Sequence, residues 1–231
     1  MKLEVIASSV ADVYIAEQNG ADRIELISGI KEGGVTPSYG LITQAVKATS
    51  LPVNVMIRPH ANSFVYTQED VAVMKEDIHK ARELGAAGIV IGALTAEHEI
   101  NIPVLESLLA EAGDLSVTFH RALDEVEDQM QALQLLQKFP AIDRVLTSGG
   151  EPSALNAKSK LKQMAQWSRE HGITILAGSG LTLETLEEFI RETGVQEVHM
   201  GTGVRVEGNP LAQLDPNKVR LASEILRNGM N

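Results

Sequence analysis

The chain has 231 residues, of which 44% are hydrophobic and 22% charged, so it can bury one large core. Its 31 acidic and 20 basic side chains give a formal net charge of −11, which disfavours nucleic acid and anionic membrane as partners because both require clustered Lys and Arg. The chain contains no cysteine, which excludes disulfides, thiolate metal sites and a cysteine nucleophile.

The first element in chain order is a strand-like run that begins almost at the N-terminus. The segment MKLEVIASS shows no apolar stretch of the kind that precedes a signal-peptide cleavage site. No later stretch approaches the ~18 apolar residues that a membrane helix requires. We therefore expect a cytoplasmic protein.

Short strand-like runs alternate with helical patterns from one end of the chain to the other, and apolar residues recur every three or four positions in the helical patterns. The eight predicted strands are LEVIA (3–7), RIEL (23–26), VNVMI (53–57), GIVIG (88–92), SVTFH (116–120), RVLTS (144–148), ITILA (173–177) and EVHM (197–200). Eight such units predict an α/β protein with one TIM-type (β/α)8 barrel over residues 1–231. A doubly wound open sheet is the alternative, but no G-x-G-x-x-G follows the first strand.

Capping residues mark several predicted helix ends. Thr67, with an aspartate three residues later, has the pattern of a capping box. Pro37 and Pro216 are each expected at the first position of a helix, where the missing N–H has no cost. Asp124 is expected to cap the helix that follows the fifth strand.

Strand alternation assigns an unusual number of polar side chains to the barrel interior. In SVTFH (116–120) the bulky apolar residues face the helices, so Thr118 and His120 point inward. The same alternation places inside Asn54, Met56, Arg58, Glu25, Glu197 and His199, with Glu4 by its register with Ile6. An unpaired buried charge is costly, so these groups form either a self-compensating ion network or a ligand site. Glu4 and Glu197 fit a supporting role, in which a deep carboxylate orients a neighbour.

Residues near the carboxyl ends of the strands are expected to line an active-site mouth, as is usual in this fold. The predicted catalytic residues are Glu25, Arg58, His120 and Arg121. His120 and Glu25 would act as an acid–base pair, because the ordinary pKa of histidine suits proton transfer near neutral pH. Arg58 would neutralise charge that develops on the substrate.

Glycine-rich loops after the last strands predict a site for a small anion. ILAGSGLT (175–182) and HMGTGV (199–204) follow the seventh and eighth strands, where this fold commonly binds phosphate, and LTSGGEPSA (146–154) adds a third turn. The predicted anion-binding residues are Ser148, Gly149, Gly178, Ser179, Gly180, Gly201, Thr202 and Gly203. The alternative is that these glycines only end the strands tightly.

The histidines show no local metal-binding motif. Six are scattered along the chain, without an H-E-x-x-H or another closely spaced pair. His120 and His199 are the candidate metal ligands, although only the fold could bring them together. Met56 and Met200 flank the same region, but barrel methionines mostly fill the core.

Seven motifs, which come in order and span essentially the whole chain, resemble the signatures of the CutC copper-homeostasis family. They are NGADRIEL (19–26), KEGGVTPS (31–38), IRP (57–59), VTFHRALD (117–124), RVLTSGG (144–150), LAGSG (176–180) and EVH (197–199). The resemblance implies a TIM-type barrel, a cytoplasmic location, an association with copper tolerance and self-association. A homodimer or higher homo-oligomer is therefore expected, and dimers are the commonest soluble assembly.

Two functions remain open at this point. The resemblance implies a copper homeostasis protein that binds Cu(I) weakly, with His120 and His199 as ligands. Some family members have cysteines that have been considered as copper ligands, whereas this chain has none, and Cu(I) prefers sulfur. The alternative is a TIM-barrel enzyme that performs acid–base chemistry on a small phosphorylated or carboxylated metabolite.

Overall fold

The strands of this protein form one closed parallel barrel. The structure, a computed structural model, describes residues 1–229. Each strand pairs in parallel with the next one in the chain, and the last strand pairs with the first. The strands are β1 Lys2–Ala7, β2 Arg23–Leu26, β3 Val53–Met56, β4 Gly88–Ile91, β5 Ser116–Phe119, β6 Ile142–Thr147, β7 Thr174–Gly178 and β8 Glu197–Met200. The prediction of a (β/α)8 barrel is confirmed, with strand bounds that differ by one or two residues.

In the part of the chain that the structure describes, eight α-helices follow the strands and surround the barrel. They are α1 Val10–Gln18, α2 Tyr39–Lys47, α3 Gln68–Glu83, α4 Ile102–Ala112, α5 Gln129–Leu136, α6 Lys158–His171, α7 Leu183–Thr193 and α8 Pro216–Asn228. Within residues 1–229, no helix has both the length and the apolar character needed to cross a membrane.

Two of the predicted helix starts are confirmed and two are wrong. Thr67 forms a capping box with Asp70, and Pro216 is the first residue of α8. Pro37 does not begin α2, which starts at Tyr39. Asp124 does not cap α5 either, because it lies in a 3₁₀ turn whose hydrogen bonds tie it to the end of β6, and Asp128 is the cap.

The two faces of the sheet have different chemistry. Val117 and Phe119 of β5 are fully buried in the apolar layer between sheet and helices. Thr118 points into the barrel, where its hydroxyl accepts a hydrogen bond from Arg144 at 3.2 Å. The interior also holds a small apolar group of Ile27, Met56 and Val90, separate from the main core. The fold thus directs polar groups along the barrel axis towards the mouth.

Candidate active site at the barrel mouth

A cavity of about 220 Å³ lies at the carboxyl ends of the strands. Its charged and titratable side chains are those of Glu25, Arg58, His120, Arg121 and His199. The barrel thus brings together in one cavity all four predicted catalytic residues and both predicted metal ligands. Its apolar wall is formed by Ile6, Ile27, Ile30, Met56, Phe64, Leu146 and Leu181.

His120 is held as a neutral imidazole with its free N–H in the cavity. Strand β5 ends at Phe119, and the following 3₁₀ turn brings the backbone N–H of Ala122 to His120 Nδ1, which accepts it at 3.1 Å. The ring proton therefore resides on Nε2, a buried atom with no hydrogen-bond partner among the described residues. Burial, reinforced by the charge of Arg58, lowers the pKa of His120 to about 3. At neutral pH His120 is thus a hydrogen-bond donor and does not exchange protons with Glu25.

Arg58 is a fixed positive charge beside this histidine. It lies just beyond β3, where Nη1 donates to the carbonyl oxygens of Glu32 at 3.1 Å and Gly34 at 3.2 Å. The guanidinium carbon lies 4.5 Å from the centre of the Phe64 ring, which also packs against His120 with its centroid 4.6 Å away. Arg58 is therefore immobilised and available to neutralise negative charge in the cavity.

His199 lies between two buried carboxyl groups. Its Nδ1 is 2.8 Å from Glu4 Oε1, and its Nε2 is 3.6 Å from Glu25 Oε2. Burial alone would lower the pKa of His199, but Glu25 and Glu4 raise it above its ordinary value. Burial raises the pKa of Glu25 to about 7 against the opposing effect of His199. Glu25, with a pKa of about 7, and His199, with a raised pKa, therefore form a coupled pair that can hold and pass a proton.

A deeper ion network supports this pair. Burial would raise the pKa of Glu4, but Arg23 and His199 lower it to about 2, so the carboxylate stays charged. Arg23 also donates to Glu197, and Arg144 lies 3.6 Å from the same carboxylate. Glu4 and Glu197 thus have the contacts expected of supports. Sequence reasoning missed Arg23 and Arg144, although the alternation that places Glu25 inside also places Arg23 there.

The loop after β6 is occupied by a carboxylate of the protein itself. Asp124 accepts hydrogen bonds from the backbone N–H groups of Ser148 and Gly150 and from the Thr147 hydroxyl. Gly149 donates its N–H to Thr147 Oγ1 at 2.9 Å. Ser148 and Gly149 do not line the cavity, and their N–H groups are already satisfied. Their predicted role as anion ligands stays a prediction that these contacts disfavour.

Arg121 connects that loop to the cavity. Its Nε donates to Asp124 at 2.8 Å and its Nη2 to the Ser148 hydroxyl at 2.9 Å, while 40% of the side chain remains exposed. Since Arg121 also lines the cavity, one guanidinium edge is anchored and the group can still meet a ligand.

The loops after β7 and β8 reach the cavity through Ser179, Gly180, Gly201, Thr202 and Gly203. Within residues 1–229, the backbone N–H groups of Gly180, Gly201 and Thr202 donate to no protein acceptor. A Cβ on Gly203 would lie 2.2 Å from the carbonyl oxygen of Leu181, so glycine lets the two loops pack directly. These donors, with Arg121 beside them, fit an oxyanion of a ligand.

Gly178, the last residue of β7, lies below this loop pair and does not line the cavity. A Cβ there would lie 3.0 Å from the Cβ of His199. Its absence leaves room for the imidazole that contacts Glu25. Gly178 thus has a packing role in the structure, and its predicted contact with an anion stays a prediction.

The donor atoms at the mouth do not fit Cu(I). Glu4, Glu25 and His199 have ligand atoms within 4.8 Å of one another, but two of the three are oxygens, which suit harder cations. Met56 is the one sulfur that lines the cavity within the described residues, since Met200 packs in the layer between sheet and helices. The Nδ1 lone pair of His120 is engaged by Ala122, and its Nε2 carries the proton. Copper at His120 and His199 stays a prediction.

The fold and the mouth define a (β/α)8-barrel protein with a small, charged cavity at the carboxyl ends of its strands. The chain belongs to the CutC family, whose sequence model matches residues 1–204. A CutC family protein of Pasteurella multocida (strain Pm70) is 42% identical over 211 residues, which cover 91% of this chain and 86% of that protein. The resemblance seen in the motifs is therefore confirmed.

Solved structures agree with this assignment. A copper homeostasis protein CutC from Streptococcus agalactiae has a TM-score of 0.80 and 31% identity, covering 86% of this chain and 97% of that one. The phosphoribosyl anthranilate isomerase of Thermotoga maritima has a TM-score of 0.68 over 99% of both chains. At 14% identity, the second likeness concerns the fold alone.

Proposed function

We propose that the barrel mouth is an active site for acid–base chemistry on a small metabolite that carries a phosphate or carboxylate group. The observation that supports it most is a pair of buried, unpartnered polar atoms, Glu25 Oε1 and His120 Nε2, on residues that line one cavity. Such atoms are costly in a folded protein unless a ligand satisfies them.

Each part of the mouth has a role in this proposal. The Glu25–His199 pair holds and transfers the proton, and Arg58 neutralises charge that develops on the substrate. Arg121 and the N–H groups of the last two loops bind the anionic group. The cavity of about 220 Å³ is smaller than the ~300–1,000 Å³ of sites for drug-sized ligands, which favours a small metabolite over a nucleotide cofactor.

The test is calorimetric titration with inorganic phosphate and with a panel of small phosphorylated and carboxylated metabolites. We expect at least one compound to bind, and Arg121→Gln to weaken it by about tenfold or more because one guanidinium is lost. Arg220→Gln is the matched control, since Arg220 is a surface residue of α8 whose side chain is 51% exposed. Absence of binding across the panel, or an equal effect of both variants, would overturn the proposal.

A role in copper homeostasis is the second candidate, favoured by the name of the solved relative from Streptococcus agalactiae. In this candidate a copper ion would bind weakly at the mouth through His120 and His199, with Met56 nearby. An anaerobic Cu(I) competition titration against a chromogenic chelator tests it on wild type and on His120→Ala with His199→Ala. One-to-one binding lost in the double variant would support direct copper binding. Equal, weak binding by both proteins would restrict any copper role to an indirect one.

Location and assembly are proposals that rest on the family resemblance. We expect the protein in the cytoplasm, without nucleic-acid or membrane partners, and as a homodimer or higher homo-oligomer. Cell fractionation tests the location, and sedimentation equilibrium tests the assembly. A monomer across the micromolar range would contradict the expected self-association.

A further inference from the structure

We propose that the reaction at this mouth is proton transfer at a carbon next to a carbonyl group, with Glu25 as the base and His120 as the neutral donor to the carbonyl oxygen. This inference rests on the proposed acid–base function and names its substrate class. It is carried by the hydrogen-bonding state of two side chains and by the composition of the cavity wall.

The first step concerns His120. Its Nδ1 accepts the Ala122 N–H, so the other ring nitrogen must carry the proton, and that atom is buried without a protein acceptor. The imidazole can therefore donate one hydrogen bond into the cavity but has no free lone pair with which to take a proton there. A neutral imidazole donor is suited to polarise a carbonyl and to stabilise the enolate oxygen that forms from it.

The second step concerns Glu25. Its Oε2 faces His199 Nε2 at 3.6 Å, while Oε1 is buried and has no donor. Oε2 of Glu25 is thus stabilised by His199, whose Nδ1 is held by Glu4. Oε1 of Glu25 remains for a ligand.

The third step is complementarity between these atoms and a substrate. Among the residues that line the cavity, two buried donors, His120 Nε2 and Arg58 Nε, lack an acceptor, and one buried acceptor, Glu25 Oε1, lacks a donor. A carbonyl oxygen satisfies the His120 donor, and an acidic hydrogen on the adjacent carbon meets the acceptor. Ile27, Met56 and Phe64 contribute an apolar wall, which offers water no hydrogen-bond partner and so disfavours premature protonation of an enolate.

The residues that line the cavity also exclude two kinds of covalent adduct between the protein and the carbonyl group. No lysine lines the cavity among the described residues, so a Schiff base between the protein and a carbonyl is not available. The chain has no cysteine either, which excludes a thiolate adduct. In this proposal the carbonyl is therefore activated without a covalent adduct, by hydrogen bonding and by the fixed charge of Arg58.

The step balances without any further reactant. Glu25 Oε1 takes the proton from the carbon, the C–H electron pair forms the new C=C bond, and the carbonyl π pair moves to oxygen. The His120 Nε2–H hydrogen-bonds the resulting enolate, and Arg58 and the His199 imidazolium offset its charge. Return of the proton from Glu25 to the same carbon, or to the neighbouring one, completes an exchange or an isomerisation.

The test compares enolate analogues with ground-state analogues. One pair is phosphoglycolohydroxamate and glycerol 3-phosphate, which have the same charge. The other is oxalate and L-lactate, in which oxalate carries one more negative charge, so this pair counts only through the part of the excess that Glu25→Gln and His120→Asn remove. In at least one pair we expect the enolate analogue to bind about 100-fold tighter, as analogues of a transition state do. Glu25→Gln and His120→Asn should each remove most of this excess and leave the affinity for the ground-state analogue within about threefold.

The variants are chosen so that folding and chemistry are separable. Asn at position 120 can still accept the Ala122 N–H but is too short to replace Nε2 in the cavity. His98→Asn is the matched control, because His98 is 61% exposed and has a φ of 59°, which asparagine tolerates. Retained binding of glycerol 3-phosphate or lactate shows that a variant is folded.

The outcomes distinguish the two proposals. If a ground-state analogue binds and neither enolate analogue binds more tightly, proton transfer next to a carbonyl is overturned while an anion-binding active site stands. If none of the four compounds nor inorganic phosphate binds, the proposed function fails and this inference fails with it. Excess affinity that survives both Glu25→Gln and His120→Asn would overturn the assigned roles.

Discussion

Glu25 is a residue at which stability and chemistry oppose each other. Its carboxyl group is 2% exposed, and one of its oxygens has no donor. Burial raises the pKa of Glu25 from 4.5 to about 7. The folded protein therefore binds this proton more tightly than the unfolded chain does. Stability contributed by this tighter binding is complete below pH 4.5 and is lost as the pH rises through about 7.

Glu25→Gln should therefore stabilise the protein at pH 8 by about 2 kcal/mol, part of the full effect of the pKa shift being offset by the lost contact with His199. At pH 4 the variant and wild type should unfold at the same urea concentration, since both side chains are neutral there. Urea denaturation at the two pH values measures this difference. Glu224→Gln, on the exposed face of α8, is the control and should change neither value. A loss of stability at pH 8 would contradict the argument.

Sequence alternation predicted where the side chains of the mouth point, but not their chemical state. Glu25, Arg58, His120 and His199 line the cavity as expected of inward-facing residues near strand ends. The neutral state of His120 could not be predicted, because it depends on a 3₁₀ turn that aims the N–H of Ala122 at Nδ1. Until that turn is known, His120 reads as an ordinary histidine with a pKa near neutrality.

At the scale of elements, the 3₁₀ turn Arg121–Glu125 holds the loop after β6 in place. Asp124 gathers the N–H groups of Ser148 and Gly150, an arrangement that resembles an anion site filled from within. The sequence could indicate the glycine turn but not that Asp124 accepts its N–H groups, since aspartate before a helix is equally typical of an N-cap.

The prediction that Pro37 begins α2 was wrong because a contact distant in sequence holds this segment. The Thr36 N–H donates to the Arg58 carbonyl oxygen, and the Thr36 hydroxyl oxygen accepts the Arg58 N–H, which keeps this segment extended and delays α2 until Tyr39.

Asp124→Ala should destabilise the protein by about 3 kcal/mol, because the N–H groups of Ser148 and Gly150 and the Thr147 hydroxyl lose a charged acceptor. Sulfate should restore part of the melting temperature by occupying the vacated donors. Thermal melts with and without sulfate, at constant ionic strength set by chloride, measure the rescue. Asp128→Ala is the matched control, since Asp128 only caps α5 and its loss should cost about 1 kcal/mol without a sulfate response. Equal rescue of both variants would contradict an internal anion site.

At the scale of the whole molecule, barrel closure creates the buried ion network. Glu4 of β1 is in register with Arg23 of β2 on one side and with His199 of β8 on the other. The eight strand-like runs predicted the barrel, and with it the general position of the mouth. They could not predict these pairs, because residues 195 positions apart meet only when β8 pairs with β1.

This closure makes the network a unit whose parts should not contribute independently to stability. Arg23 is 4% exposed and contacts both Glu4 and Glu197, so Arg23→Met removes the cation shared by two buried carboxylates and should cost about 3–5 kcal/mol. In Glu197→Gln, Arg23 keeps Glu4 as a partner. The loss of unfolding free energy in the double variant should therefore be smaller than the sum of the two single losses by about 1–3 kcal/mol.

Urea denaturation of the four proteins in this cycle measures the coupling. Lys2→Met is the control at the same end of the barrel, because Lys2 is 60% exposed and lies 3.9 Å from Glu197, a distance at which a surface ion pair contributes little. Additive effects of Arg23→Met and Glu197→Gln would mean that solvent, and not the opposing charge, satisfies these groups.

The pKa of His199 supplies a second readout at the mouth. Arg23 lowers it at present, so Arg23→Met should raise it, and histidine NMR titration would detect the change. An unchanged His199 pKa would mean that the deeper ion network does not influence proton binding at the mouth.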